Sequence, residues 1–269
     1  MQEARRVNQR VTVNRIAVPK PQQVLADHLR QIILRGEIPE GNALPSERDL
    51  VEQTGLTRGA VREALRTLAV EGLVTTRHGR FGGNVVTLPG NDSMATAINR
   101  FVAGRQLPLR SLQEAREVLE PFLARLAAER RTEENLNELK ALHAELIGAV
   151  DNFKEFATVN VKWHNAVASA SGNELLAAVL YSLSHGVHVA TSSEEYDTPE
   201  TRKQVIHIHS RVNDAIEARN AELAESSMRH HMVATHARPL ALEKTGISLS
   251  VEAPKAKAPA RAPRRSAKH

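Results

Sequence analysis

Between Pro45 and Gly72 the chain reads PSERDLVEQTGLTRGAVREALRTLAVEG, and few folds accept such a run. Ser46 follows a proline and offers an oxygen to the open N–H groups of a first helical turn. Leu50 and Val51 fall on the inward side of that helix, and Gly55 stops it. A second helix begins near Thr57, with Val61, Ala64, Leu65 and Leu68 in one stripe. Two short helices across a tight glycine turn make a helix-turn-helix. Upstream, PQQVLADHLRQIILRGEIPEG predicts an amphipathic helix through Val24, Leu25, Leu29, Ile32 and Ile33, ended by Gly36. Downstream of Gly72, LVTTRHGRFGGNVVTL places two β-prone runs on either side of a basic, Gly-rich turn. That predicts a hairpin wing with His78, Gly79 and Arg80 at its tip. Residues 21–90 are therefore expected to form a winged helix-turn-helix.

Arg58, Arg62 and Arg66, spaced by four, line the outer face of the second helix of the motif. Such a row is ordinarily a solvated face. In this motif it also stands where a recognition helix presents side chains to base edges, and arginine suits bidentate contact with guanine or phosphate. Charge is unevenly placed. Residues 1–20 carry +4, residues 253–269 carry +6 and the body between them −5, while 21–90 balances eight bases against eight acids. Attraction to a polyanion must then come from where the arginines stand and from a flexible basic arm at 1–20, not from bulk charge. The Ala/Pro/Lys/Arg run at the end of a tail over 241–269 has nothing to bury, which predicts disorder. It reads equally as a solubilising tail and as an arm for phosphates.

Residues 91–240 show no strand alternation. Helices are predicted near 93–106, 108–131, 133–149, 152–171, 173–192, 200–219 and 220–238, parted by LPL, SGN and YDTPE turns. With aromatics at 3% the core must be Leu, Val, Ile and Ala, which suits packed helices. The chain is thus expected to be mainly α, a winged helix-turn-helix followed by an all-α bundle. Cysteine is absent, so disulfides, thiolate metal sites and Cys nucleophiles are excluded. No apolar run approaches the roughly 20 residues that span a bilayer, and the first residues hold no apolar signal core. The expectation is a cytoplasmic protein without membrane contact.

In the bundle, polar side chains fall on apolar faces. Asn160 and His164 share a stripe with Phe153, Phe156, Ala157 and Val167. His209 lies in line with Val205, Val212 and Ile216, and His231 with Ala224, Met228 and Thr235. His207 and His230 fall on the opposite sides. A single inward histidine is ordinarily a hydrogen-bonded core residue. Three on three neighbouring helices also describe a metal site. Spacing leaves both readings open. Asn173, in the SGN turn, is expected to cap a helix.

The run GEIPEGNALPSERDLVEQTGLTRGAVREALRTLAVEGLV resembles the winged-helix domain of GntR-type bacterial transcription regulators over most of residues 21–87. The resemblance implies that Arg48 meets the DNA backbone or bases. Thr57, Arg58, Gly59 and Arg62 would lie in the major groove, and His78 and Gly79 in the minor groove. The wing, RHGRFGGNVV, is longer than the commoner short form. Over about 110–236, SLQEAREVLEPFLARLAAER, NVKWHNAVASASGN and HSRVNDAIEARNAELAESSMRHHM are similar to the FCD effector-binding domain of the FadR-like branch. By that resemblance the 91–240 unit binds an effector and dimerises. An Asp and a His four apart, with two later histidines, bind a divalent metal there. These positions are His164, His209 and His231, with Asn160 where the Asp is expected. Zinc is the first candidate, with nickel and manganese as alternatives. Asn160 keeps an oxygen donor but loses its charge, which favours an anionic ligand to complete the site. Arg116 falls where the family meets an effector carboxylate. The plain alternative is a surface Arg116–Glu120 pair.

The resemblance implies a homodimeric regulator of double-stranded DNA with a palindromic operator, a repressor released by a small carboxylate, and not an enzyme. The rivals are a metalloenzyme and a metal-free structural bundle, each with a DNA-binding head. Against the first, no Glu or Asp shares the inward faces that carry the three histidines.

Overall fold

Side-chain caps at Ser46, Thr57, Thr132, Asn152 and Thr198 start helices, and residues with positive φ, mostly glycines, set the turns. In the computed structural model, residues 19–77, 83–191 and 198–236 are described. The chain divides into two compact units, with the boundary between Pro89 and Gly90.

The first unit holds α1 (Pro21–Leu34), α2 (Glu47–Thr54), α3 (Arg58–Val70), β1 (Val74–Arg77) and β2 (Gly83–Val86). Ser46 and Asp49 close a reciprocal capping box on α2, and Gly55 ends that helix at φ 68°. The left-handed turn there is one that glycine adopts without strain. Thr57 Oγ1 accepts the N–H of Ala60 and starts α3. Val61, Ala64, Leu65 and Leu68 are all buried, against Leu25, Leu29 and Ile33 of α1 and Leu50 of α2. Val24 is exposed, contrary to the expected stripe. The buried face of α1 is instead Leu25, Ala26, Leu29 and Ile33, so the helix is rotated to bring the small Ala26 inward. Arg30 binds both carboxylate oxygens of Glu71, at 2.8 and 2.7 Å, and ties α1 to the end of α3. β1 and β2 pair antiparallel, Val74 opposite Val86 and Arg77 opposite Gly83. The expected hairpin is present, but its tip lies outside the described residues, as do the arm at 1–18 and the tail from 237.

The second unit is helical throughout its described length: α4 (Asn91–Arg105), α5 (Leu109–Arg130), α6 (Glu133–Gly148), α7 (Phe153–Ala170), α8 (Glu174–Thr191), α9 (Pro199–Glu217) and α10 (Ala221–His236). Each predicted helix is found within a few residues of its expected ends. Asn152, Thr132 and Thr198 cap α7, α6 and α9, and Asn173 Oδ1 takes the Leu176 N–H as expected. The described residues thus mainly form helices, with one small sheet in the wing. In the bundle, α5 runs against α7, α8, α9 and α10. With α6, which packs on α7 and α9, these helices enclose a core that includes Leu139, Leu146, Trp163, Val167, Ile216 and Met228, all buried. Arg131, itself buried, donates to the carbonyls of Ile216 and Glu217 and so closes the C-terminus of α9.

Candidate functional site

The outer face of α3 is open. Arg58, Gly59, Arg62 and Arg66 are exposed, as are Arg48 and Thr57 at the starts of α2 and α3. Arg62 Nε lies 3.0 Å from Glu47 Oε2, which holds the guanidinium along α2. Arg48 is 85% exposed with only a 3.9 Å approach to Asp49. The hydroxyl oxygen of Thr57 is engaged by its own cap. His78 and Gly79 lie outside the described residues.

In the bundle the three inward histidines come together. One nitrogen from each of His164 (α7), His209 (α9) and His231 (α10) lies within 4.8 Å of the others, and all three residues are buried. His209 Nε2 stands 3.1 Å from His231 Nε2, which stands 3.4 Å from His164 Nε2. Nitrogens held about 2.0–2.1 Å from a tetrahedral zinc lie about 3.3 Å apart, so the spacing fits an ion. Hydrogen bonding alone satisfies the cluster poorly. His164 Nδ1 meets the carboxylate of Glu120, which leaves its Nε2 as a lone pair. His231 Nε2 carries at most one proton for two facing nitrogens. Burial pushes the pKa of His209 well down, helped by His231, His164, His143 and Arg116, so its imidazole is neutral. Burial also lowers that of His164, against the opposing pull of Glu120. Neutral imidazoles are what a divalent ion binds. Asn160 stands one turn before His164 on α7, and its Oδ1 is buried without a hydrogen-bond partner. That orphaned oxygen is a further donor suited to a hard or borderline cation.

Behind His164 stands Glu120 of α5, 1% exposed. One carboxylate oxygen meets His164 Nδ1 and the other meets Arg116 Nε. Burial alone would raise the Glu120 pKa, but the Arg116 charge beside it, with His164, holds the carboxyl well below the usual range. The Arg116–Glu120 pair is therefore real, but it is not the surface pair of the plain alternative, since the Arg116 side chain is only 11% exposed. Arg116 reaches the histidine cluster through Glu120.

Sequence reasoning named Glu120 only as a partner of Arg116. Its place was legible. Leu109, Leu112, Gln113, Glu120 and Ala124 make the inward stripe of α5 at helical spacing, and Glu120 lies in it. Trp163 was missed as well. Its ring stacks on that of His209, and its Nε1 donates to Asn213 Oδ1 at 3.1 Å. Together these groups form a buried, polar, cation-compatible centre with an arginine at its edge. No helix among the described residues is long and apolar enough to cross a membrane.

Residues 111–234 match the FCD domain, and residues 21–81 match the family described as bacterial regulatory proteins, gntR family. The chain is 29% identical to the Glc operon transcriptional activator of Escherichia coli (strain K12) over 218 residues, 78% of this chain and 85% of that protein. It is 32% identical to the uncharacterized HTH-type transcriptional regulator YieP of the same strain over 211 residues, 72% of this chain and 84% of that one. Among solved structures, Streptococcus agalactiae GntR shares the fold with a TM-score of 0.61 at 26% identity, over 80% of this chain and 98% of that one.

Proposed function

We propose, for a chain that belongs to the gntR family of bacterial regulatory proteins and carries the FCD domain, a homodimeric transcriptional repressor of the cytoplasm, released from DNA by a small carboxylate. Family membership makes it a DNA-binding transcription regulator and not an enzyme. The finer reading is carried by one observation, the convergence of His164, His209 and His231 behind the Arg116–Glu120 pair.

In this reading each winged helix takes one half of a palindromic operator. Arg48, Thr57, Arg58, Gly59 and Arg62 meet the backbone and the major groove, and His78 and Gly79 meet the minor groove. In the bundle, His164, His209 and His231 hold a divalent ion through ring nitrogens, and Asn160 through its amide oxygen. Zinc and nickel suit three imidazoles, and manganese, which prefers oxygen donors, is the weakest of the three candidates. Such an ion supplies positive charge against which an acid is bound, while Arg116 takes the acid's carboxylate in bidentate fashion. The acid acts by differential affinity for DNA-competent and DNA-incompetent arrangements of the dimer. A second reading of sign has its own support, since one relative is named as an activator. In it the same binding event favours the DNA-competent state.

A thermal-shift screen of small carboxylates, with and without added Zn²⁺ or Ni²⁺, tests the reading. One acid should raise the melting temperature more with metal than without, and the same acid should shift an operator complex in a gel. Metal-independent stabilisation would remove the metal from the reading. Sedimentation of a monomer at working concentration would remove the dimer.

A further inference from the structure

The three imidazoles gathered at the centre are uncharged, and so is the buried, unpartnered amide oxygen of Asn160, one turn before His164 on α7. Among the described residues no Asp or Glu joins the three histidines, so a divalent ion on them would bring two positive charges into a buried site uncompensated at the ion itself. A carboxylate stands one bond further back. Glu120 reaches across from α5, 1% exposed, and accepts the Nδ1–H of His164. That bond fixes the tautomer, so the lone pair of His164 sits on Nε2, 3.4 Å from His231 Nε2. It also makes the imidazole a stronger donor. The other oxygen of Glu120 is bonded to Arg116, which keeps a buried carboxylate ionised.

We propose that Glu120 is a positioning residue of the metal centre, holding His164 with Nε2 turned to the other imidazoles and supplying the negative charge that the donor set lacks. The inference rests on the metal reading of the three histidines. It assigns the deficit left by an amide at Asn160 to a carboxylate on a different helix.

The test measures Zn²⁺ affinity of the metal-stripped full chain by competition with a chromophoric chelator, for wild type, Glu120→Gln, Asn160→Asp and the double variant. Glu120→Gln should bind about 10- to 100-fold more weakly. Adding Asn160→Asp to it should restore most of that loss, because the charge is then supplied at the ion itself. The Co²⁺-loaded forms should differ in their visible d–d bands between wild type and Glu120→Gln. Equal affinity and equal spectra in those two would overturn the inference and leave the metal reading standing. A wild type that takes up no Zn²⁺ would overturn both. A weakened Glu120→Gln that Asn160→Asp does not rescue reduces Glu120 to a structural residue. Should Glu120→Gln fail to fold, histidine ¹⁵N shifts of Zn²⁺-loaded wild type decide. His164 protonated on Nδ1 and ligated through Nε2 is required, and ligation through Nδ1 would refute it.

Discussion

Trp163 lies flat on His209, with ring centroids 3.6 Å apart and planes 9° from parallel. It is the only tryptophan in the chain, fully buried, and packed on a proposed ligand. Its emission therefore reports on that centre alone. Adding Ni²⁺ or Co²⁺ to the metal-stripped protein should quench the fluorescence in a saturable way, and His209→Ala should abolish the saturable part. Quenching of equal depth in His209→Ala would place the ion elsewhere.

Metal removal should cost stability by mass action. An ion that binds only the folded chain adds about 2.7 kcal/mol at a free concentration of 100 times its Kd. The melting temperature should fall after dialysis against chelator and recover with Zn²⁺. Because the ligands sit on α7, α9 and α10, the effect belongs to the bundle. Calorimetry that shows the shift in the winged-helix transition instead would contradict the assignment.

The helices and most of their buried stripes were legible because a 3.6-residue period fixes which side chains share a face. The same test found His164, His209 and His231 on separate helices, and it set His207 and His230 outward. It was not applied to α5, where an i,i+4 Arg–Glu spacing invites the reading of a surface pair, so Glu120 went unrecognised. The rotation that exposes Val24 and buries Ala26 was not legible, since both fit an amphipathic stripe and only the packing of α1 against α3 decides. The stack of Trp163 on His209 depends on how α7 and α9 approach each other, which no period encodes. Asn160 was visible as an oddity, but that its oxygen is left without a partner is a fact of packing.

The capping box of α2 gives a pH-dependent term of known sign. The Ser46 hydroxyl is the main cause that lowers the Asp49 pKa from 3.8; desolvation opposes it, and the Ser46 backbone N–H and the Arg48 charge add to the lowering. A carboxyl lowered on folding stabilises the fold above its unfolded value, and that contribution is lost as pH falls through the folded value. The stability difference between wild type and Asp49→Asn should therefore be constant near neutrality and shrink below about pH 4. Ser46→Ala should cost about 1 kcal/mol near neutral pH. Urea titrations at several pH values check both, and a difference that grows on acidification would refute the cap.

On the DNA face, Arg58 and Arg62 are exposed on α3, so their truncation leaves the core of Val61, Ala64, Leu65 and Leu68 untouched. Arg58→Ala and Arg62→Ala should each lose about 1–3 kcal/mol of operator binding, or roughly 5- to 150-fold, with unfolding curves unchanged. Arg62 starts from a 3.0 Å pair with Glu47, and binding must exchange that partner for the nucleic acid. Its loss should therefore fall at the lower end, and Glu47→Gln should offset part of the exchange by tightening the complex. Arg229→Ala, exposed on α10 and paired with Glu225, is the control and should change nothing. Gel shifts across a salt series separate the roles. A residue on phosphate reduces the salt slope by about one, whereas a residue on a base edge changes sequence preference at fixed slope. Full operator affinity retained in Arg58→Ala together with Arg62→Ala would move the reading face off α3.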